Sequence, residues 1–157
     1  MFGFLQGKDA AASHRLARTS LFAGLKVGEL NIVEGFMHER RYLPGEIVFD
    51  EGEEGQALYI IVSGRVVICH PGAANRPIAE LGAGDFFGEL ALLDDSPRSA
   101  QALAGEATEA AVLFRGDFER LMQSHAPIAS QIAMQLARHL GQRLRAMVAG
   151  AGGVAGQ

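Results

Sequence analysis

Three textures of apolar and polar positions follow one another along the chain. Residues 1–20 are mixed and are expected to form an N-terminal helical extension, with a short helix around Ala10 to Ala17. Leu21-Phe22-Ala23-Gly24-Leu25 then makes a compact apolar turn, and Val27 to Met37 carries apolar side chains at helical spacing, Leu30 and Val33 facing inward. From His38 the apolar runs shorten. His38–Leu43, Ile47–Phe49, Ala57–Val62, Arg65–His70, Pro77–Leu81, Arg98–Ala104 and Thr108–Phe114 read as strands. Turn signals separate them, among them Pro44-Gly45, Glu51-Gly52, Ser63-Gly64, Pro71-Gly72 and Gly82-Ala83-Gly84. After Gly116 the helical period returns. Asp117–Ser124 is short, and Pro127 suits the first turn of a long helix reaching about Val148. Its apolar positions Ile128, Ile132, Leu136, Leu140 and Leu144 stand four apart, a stripe that drifts around a straight helix.

This order predicts an α+β fold, mainly β. An antiparallel β-roll or jelly roll is flanked by N-terminal helices and a C-terminal helix pair. One domain over 21–148 holds the core, and residues 149–157 are expected to be a flexible Gly/Ala tail.

Composition sharpens this picture at one point. Glycine occurs 20 times in 157 residues, well above the roughly 7% of average usage. Eight of these glycines lie between Gly45 and Gly88, where strand turns demand positive φ. Hydrophobic residues at 48% and charged residues at 20% suit a globular core. A net charge of −4 does not point to direct nucleic-acid binding, and no apolar run is long enough for a membrane span. Met1–Leu5 is too short for a signal peptide. The lone Cys69 forms no internal disulfide, which makes a reducing, cytoplasmic setting the default. The dispersed histidines give no metal-ligand spacing.

The chemistry concentrates between Gly82 and Ala104, where three readings compete. Phe87–Leu93 could be a short helix that plugs one end of a barrel, with Arg98 paired to Glu89 or Asp94 at the surface. Gly82-x-Gly84-x-x-x-Gly88 could be a dinucleotide turn, but no βαβ unit surrounds it and Pro97 limits any helix. The third reading is an anion cradle. A helix starting near Gly88 offers free backbone N–H groups, Arg98 a permanent charge in a fork that matches phosphate, and Ser99 a hydroxyl. Glu89 is an acceptor suited to a sugar hydroxyl, and Val62, Val66 and Ile68 would supply an apolar backing.

Phe87-Gly88-Glu89-Leu90-Ala91-Leu92 and Pro97-Arg98-Ser99-Ala100 resemble the two halves of the phosphate-binding cassette of the cyclic nucleotide-binding domain family. The likeness extends over about residues 20–148, through Pro44-Gly45-Glu46, Leu58–Gly64 and Leu81–Gly88. It implies that Glu89 takes the ribose 2′-hydroxyl, that Arg98 pairs with the cyclic phosphate, and that Ser99 bonds a phosphate oxygen. Backbone N–H groups of Gly88, Leu90 and Ala91 would line the same pocket. Gln101 departs from the Thr of many members and points to packing or a base edge. Gln131, Gln135, Arg138, His139 and Gln142 are candidate lid residues on the last helix, with a solvated helix face as the bland alternative.

The resemblance implies a regulatory sensor for cAMP, with cGMP next, although some members answer to other nucleotide signals or to none. Many bacterial relatives continue into a winged-helix DNA-binding domain, for which this sequence leaves no room. No catalytic constellation appears, since the adjacent Asp94 and Asp95 point apart, so an enzyme is not expected. Output is expected to pass through the last helix, by Leu136, Leu140 and Leu144, to a second copy or a protein partner. The alternative is a structural adaptor or docking subunit on the same β-roll that binds no nucleotide.

Overall fold

A computed structural model describes residues 14–155, with side chains through residue 150. The helix expected near residues 10–17 falls largely outside this range. Within it, the Ala17 amide donates to the His14 carbonyl in a turn. A 3-10 helix at Ser20–Phe22 and helix α1 (Val27–Glu34) precede the strands. Eight strands follow among the described residues: β1 (His38–Tyr42), β2 (Ile47–Phe49), β3 (Ala57–Ser63), β4 (Arg65–Cys69), β5 (Ala79–Gly82), β6 (Phe86–Phe87), β7 (Gln101–Ala104) and β8 (Thr108–Phe114). Helices α2 (Arg115–Ser124) and α3 (Ala126–Ala155) close the chain.

The strands form two four-stranded antiparallel sheets, ordered β1-β8-β3-β6 and β2-β7-β4-β5. Strand β3 is apolar on both faces because each face meets a different core. Leu58 and Ile60 point toward the helices, beside Leu113 and Ala111 of β8, which are their register partners. Tyr59 and Ile61 point between the sheets, toward Phe49, Val66, Phe87 and Ala102. The helical core adds Leu21, Phe22, Leu30 and Val33 from the N-terminal side, and Phe118, Leu121, Ile128, Ile132 and Leu136 from the C-terminal side. The outermost strand β1 (HERRY) has four exposed residues, mostly charged, which discourages edge pairing.

Three sequence expectations change. The strand expected from Arg98 begins only at Gln101, where Cys69 of β4 becomes its partner. Before that point the chain bonds elsewhere, Arg98 N–H to the Glu53 carbonyl at 2.7 Å and Gly52 N–H to the Arg98 carbonyl at 2.8 Å. Strand β6 went unread because two residues show no alternation. Helix α3 runs on through Ala155, where a flexible tail was expected. Once packing has nucleated a helix, each further residue adds one hydrogen bond, and no proline interrupts Ala149–Ala155, whose three glycines are helix-permissive at a cost.

The four-residue stripe of α3 drifts as its period requires. Ile128, Ile132 and Leu136 are buried, Leu140 is half-buried, and Leu144 is 61% exposed. Leu136 therefore belongs to the domain's own core, which corrects its expected place at a partner contact.

Candidate ligand-binding site

The segment between β6 and β7 wraps one end of the roll. After Phe87 the chain turns at Gly88 in a left-handed conformation, φ 72°, ψ 18°, and enters a 3-10 helix at Glu89–Leu92. Glycine is needed there twice over. The conformation is costly for other residues, and a β-carbon would lie 2.7 Å from Arg98 Nη1. The short helix buries Ala91 and Leu92 and leaves Leu90 half-exposed at 52%. Its geometry also buries Glu89, which is only 5% exposed.

A buried carboxylate needs a partner. It finds one on α3, where Arg143 Nη1 donates to Glu89 Oε1 at 2.6 Å and His139 Nε2 lies 3.8 Å from the same oxygen. The His139 ring packs on Phe86 at 4.5 Å between centroids.

Arg98 sits on the inner side of the roll. Its Nη1 donates to the Gly88 carbonyl at 2.9 Å and its Nη2 to the Ala57 carbonyl at 2.7 Å. The guanidinium lies over the Phe49 ring at 4.1 Å, and Tyr59 stacks on Phe87 close by at 5.2 Å. Burial pushes the Arg98 pKa below its usual value, and it pushes the Tyr59 phenol up. Arg98 Nε is buried without a hydrogen-bond partner, and the ion pairs among the described residues leave this cation out. Carbonyl oxygens hold the fork but do not neutralise it. The site therefore presents a cation with no carboxylate in ion-pair contact, which Glu53 and Glu89 affect only through space.

The surface pairing considered for Arg98 is not formed. Asp94 instead accepts from the Ser96 amide at 3.0 Å, and Asp95 pairs with Arg115. Phe87, Gly88, Glu89, Ala91 and Arg98 are brought together at this end of the roll. Ser99 is exposed and Ala100 half-buried on the adjoining segment. The Ala91 amide donates to the Gly88 carbonyl at 3.2 Å, closing the turn of the short helix. Val66 and Ile68 belong to the inter-sheet core, whereas Val62 packs on the helical side. Gln101 is buried and donates to Asp50 Oδ1 at 3.1 Å, a packing role.

Among the helix candidates, Gln131 donates to the Ala23 carbonyl at 3.0 Å and so serves the N-terminal turn. Gln135 is half-buried on the flank of α3. Arg138 and Gln142 lie on its outward face, in a shallow groove with Met134, Ala137, Gly141 and Arg145, so Arg138 does not reach the cassette end as expected. His139, one of the candidates, does reach it, and so does Arg143, which sequence reasoning missed. The spacing Ile132, Leu136, His139, Arg143 was the available signal, since it lies on one helical face. The aromatic floor of Phe49 and Tyr59 was also missed. So was Gly55, whose β-carbon would come within 3.2 Å of Arg98 Nε.

This arrangement agrees with an independent comparison. The family model described as the cyclic nucleotide-binding domain matches residues 39–125. The chain belongs to this family.

The cyclic AMP receptor protein of Thermus thermophilus is 41% identical over 122 residues, covering 76% of this chain and 56% of that protein. A cAMP-dependent protein kinase regulatory subunit of Pyricularia oryzae is 31% identical over 113 residues, covering 72% of this chain and 29% of that protein. The crystal structure of Thermus thermophilus catabolite activator protein superposes with a TM-score of 0.77 at 36% identity, covering 87% of this chain and 63% of that one. The chain spans little more than half the length of the receptor protein it resembles. The matched residues of this cyclic nucleotide-binding domain include the segment from Phe87 to Ala100. No helix among the described residues is long and apolar enough to cross a membrane, and they contain no cluster of potential metal ligands.

Proposed function

We propose that this domain is a cyclic nucleotide sensor, taking cAMP in preference to cGMP, and that it passes occupancy through α3 to a second copy or a protein partner. The observation that carries this reading is Arg98. Its half-buried guanidinium is fixed by two carbonyls and an aromatic face, carries a bare Nε, and has no carboxylate in ion-pair contact. A compact phosphate supplies the charge and acceptors that such a group lacks. Glu89, on the same segment, would take the ribose 2′-hydroxyl, and Gly88 lets the phosphate approach the backbone. Leu90, Ser99 and Ala100 would line the mouth, with Phe87 beneath. The relative that is 41% identical is named for cyclic AMP, which supports adenine, while another relative at 33% identity is named for cGMP, which keeps guanine as the second choice.

Transmission would work by population shift, with ligand favouring one docked position of α3 over another. The exposed Met134, Leu144, Met147 and Val148 are the side chains through which α3 would meet its partner. No chemical step is assigned to the site, and the free thiol of Cys69 suits the interior of the cell.

Isothermal calorimetry with cAMP and cGMP on the wild type and Arg98→Ala tests the reading. Binding by the wild type that collapses in the variant supports it. No heat with either nucleotide, or equal affinity in both proteins, rejects it.

A further inference from the structure

Arg115 is the first residue of α2, and a cation is poorly placed there, because the N-terminal end of a helix carries partial positive charge. Its partners lie outside the helix. Nη1 pairs with Asp95 in the turn that follows the short helix, and Nη2 donates to the Gly55 carbonyl at 3.4 Å. We propose that Arg115 is a positioning residue for the bound nucleotide, a strap that joins the two segments flanking Arg98 and slows the ligand's escape. The proposal rests on the nucleotide reading above.

The first segment, Gly52–Gln56, is already tied to Arg98. The Arg98 N–H donates to the Glu53 carbonyl at 2.7 Å, and buried Gly55 lies against the guanidinium, where a β-carbon would stand 3.2 Å from Nε. The Arg115 N–H fixes the same segment through the Gln56 carbonyl at 2.9 Å. The second segment, Leu93–Ser96, is exposed throughout. The Leu93 and Asp94 amides donate to the Leu90 carbonyl, at 2.9 and 3.2 Å, and the Ser96 amide donates to Asp94. These bonds shape the turn without anchoring it to the roll. Among the described residues, the side-chain contact that ties this turn to another element is Asp95 to Arg115.

The pair is uneven. The Asp95 side chain is 75% exposed and that of Arg115 only 21%, so the helix and Gly55 fix the cation while the anion sits on a solvated turn. The strap therefore opens at the turn. Such a pair adds little to folding, but it adds to the barrier for any departure that requires the turn to lift. Arg98 keeps its own anchors on Gly88 and Ala57 when the strap is cut. The pair thus governs how long a nucleotide stays, and Arg98 how its charge is met.

The experiment follows cAMP dissociation by stopped flow in the wild type, Asp95→Asn, Arg115→Gln and the double variant, at low and high salt. Melting temperatures of the ligand-free proteins are taken alongside. The dissociation rate is expected to rise about two- to fivefold in Asp95→Asn, the scale of one exposed ion pair. Arg115→Gln should exceed this, since it also loses the Gly55 contact, and the double variant should match Arg115→Gln, because two residues that act through one contact are not additive. Salt should speed dissociation less in Asp95→Asn than in the wild type, with one pair fewer to screen. Wild-type rates in both single variants, additive effects in the double variant, or equal salt dependence overturn the proposal and leave the nucleotide reading standing. A large fall in melting temperature in Asp95→Asn also overturns it, by making the pair a folding contact. Absence of cAMP binding in the wild type rejects the nucleotide reading and this proposal with it.

Discussion

The Arg98 guanidinium donates to the carbonyl of Gly88 at 2.9 Å, and a β-carbon on Gly88 would lie 2.7 Å from the same nitrogen. The left-handed turn and the cation are thus parts of one arrangement. The carbonyl is placed to hold the fork, and only the absence of a side chain lets the fork lie so close.

Gly88→Ala should therefore cost stability and binding together. The backbone conformation alone accounts for about 1–2 kcal/mol, and the displaced Arg98 adds a loss of nucleotide affinity. Denaturant unfolding and calorimetry on the same samples check both. Wild-type values in either would show that the turn and the cation are not coupled.

Arg98→Ala should weaken nucleotide binding by roughly ten- to 150-fold, since charge-assisted hydrogen bonds are worth about 1.5–3 kcal/mol. Arg98→Lys should fall between, because a point charge keeps attraction but cannot bridge two carbonyls and a phosphate at once. A lysine variant as tight as the wild type would remove the role assigned to the fork.

Helix α3 has two faces with different duties. Ile132 is fully buried, so Ile132→Ala should destabilise the fold by about 2–5 kcal/mol. Leu144 is largely exposed, so Leu144→Ala should change the stability of an isolated domain by no more than about 0.5 kcal/mol. If a second copy pairs along this face, the same change should weaken self-association in sedimentation experiments. Strong destabilisation of the monomer by Leu144→Ala would contradict the assignment of faces.

Burial raises the Tyr42 phenol to about 12. The folded state therefore holds this proton more tightly than the unfolded chain, whose tyrosines titrate near pH 10. Stability contributed by the neutral phenol is fully present below about pH 10 and is lost as pH rises toward about 12. Melting temperatures across that window should fall less steeply for Tyr42→Phe than for the wild type. Parallel curves would assign the alkaline sensitivity to other groups.

Much of the roll could be read in the chain because its signals are local. The strands from His38 and Thr108 and the pair around Ser63-Gly64 emerge within a residue or two of their expected ends, since alternation and turn glycines act over short distances. Strand β6 and the start of β7 could not be read in that way. They depend on which neighbouring strand supplies hydrogen bonds, and Pro97-Arg98 bonds to the Glu53 region instead.

The sequence by itself determined most of the order of elements and the resemblance to the family, and it singled out Gly88, Glu89 and Arg98 as candidates, because turn signals and motif residues are local. The tertiary structure decided which partners those residues meet. Arg98 rests on Phe49, which is 49 positions before it in the chain, and Glu89 is held by Arg143. It also decided that Arg138 faces outward and Leu136 inward. Helical period limits which residues share a face, but only packing against α2, the Ser20–Phe22 helix and the core they share with the strands decides which face is buried.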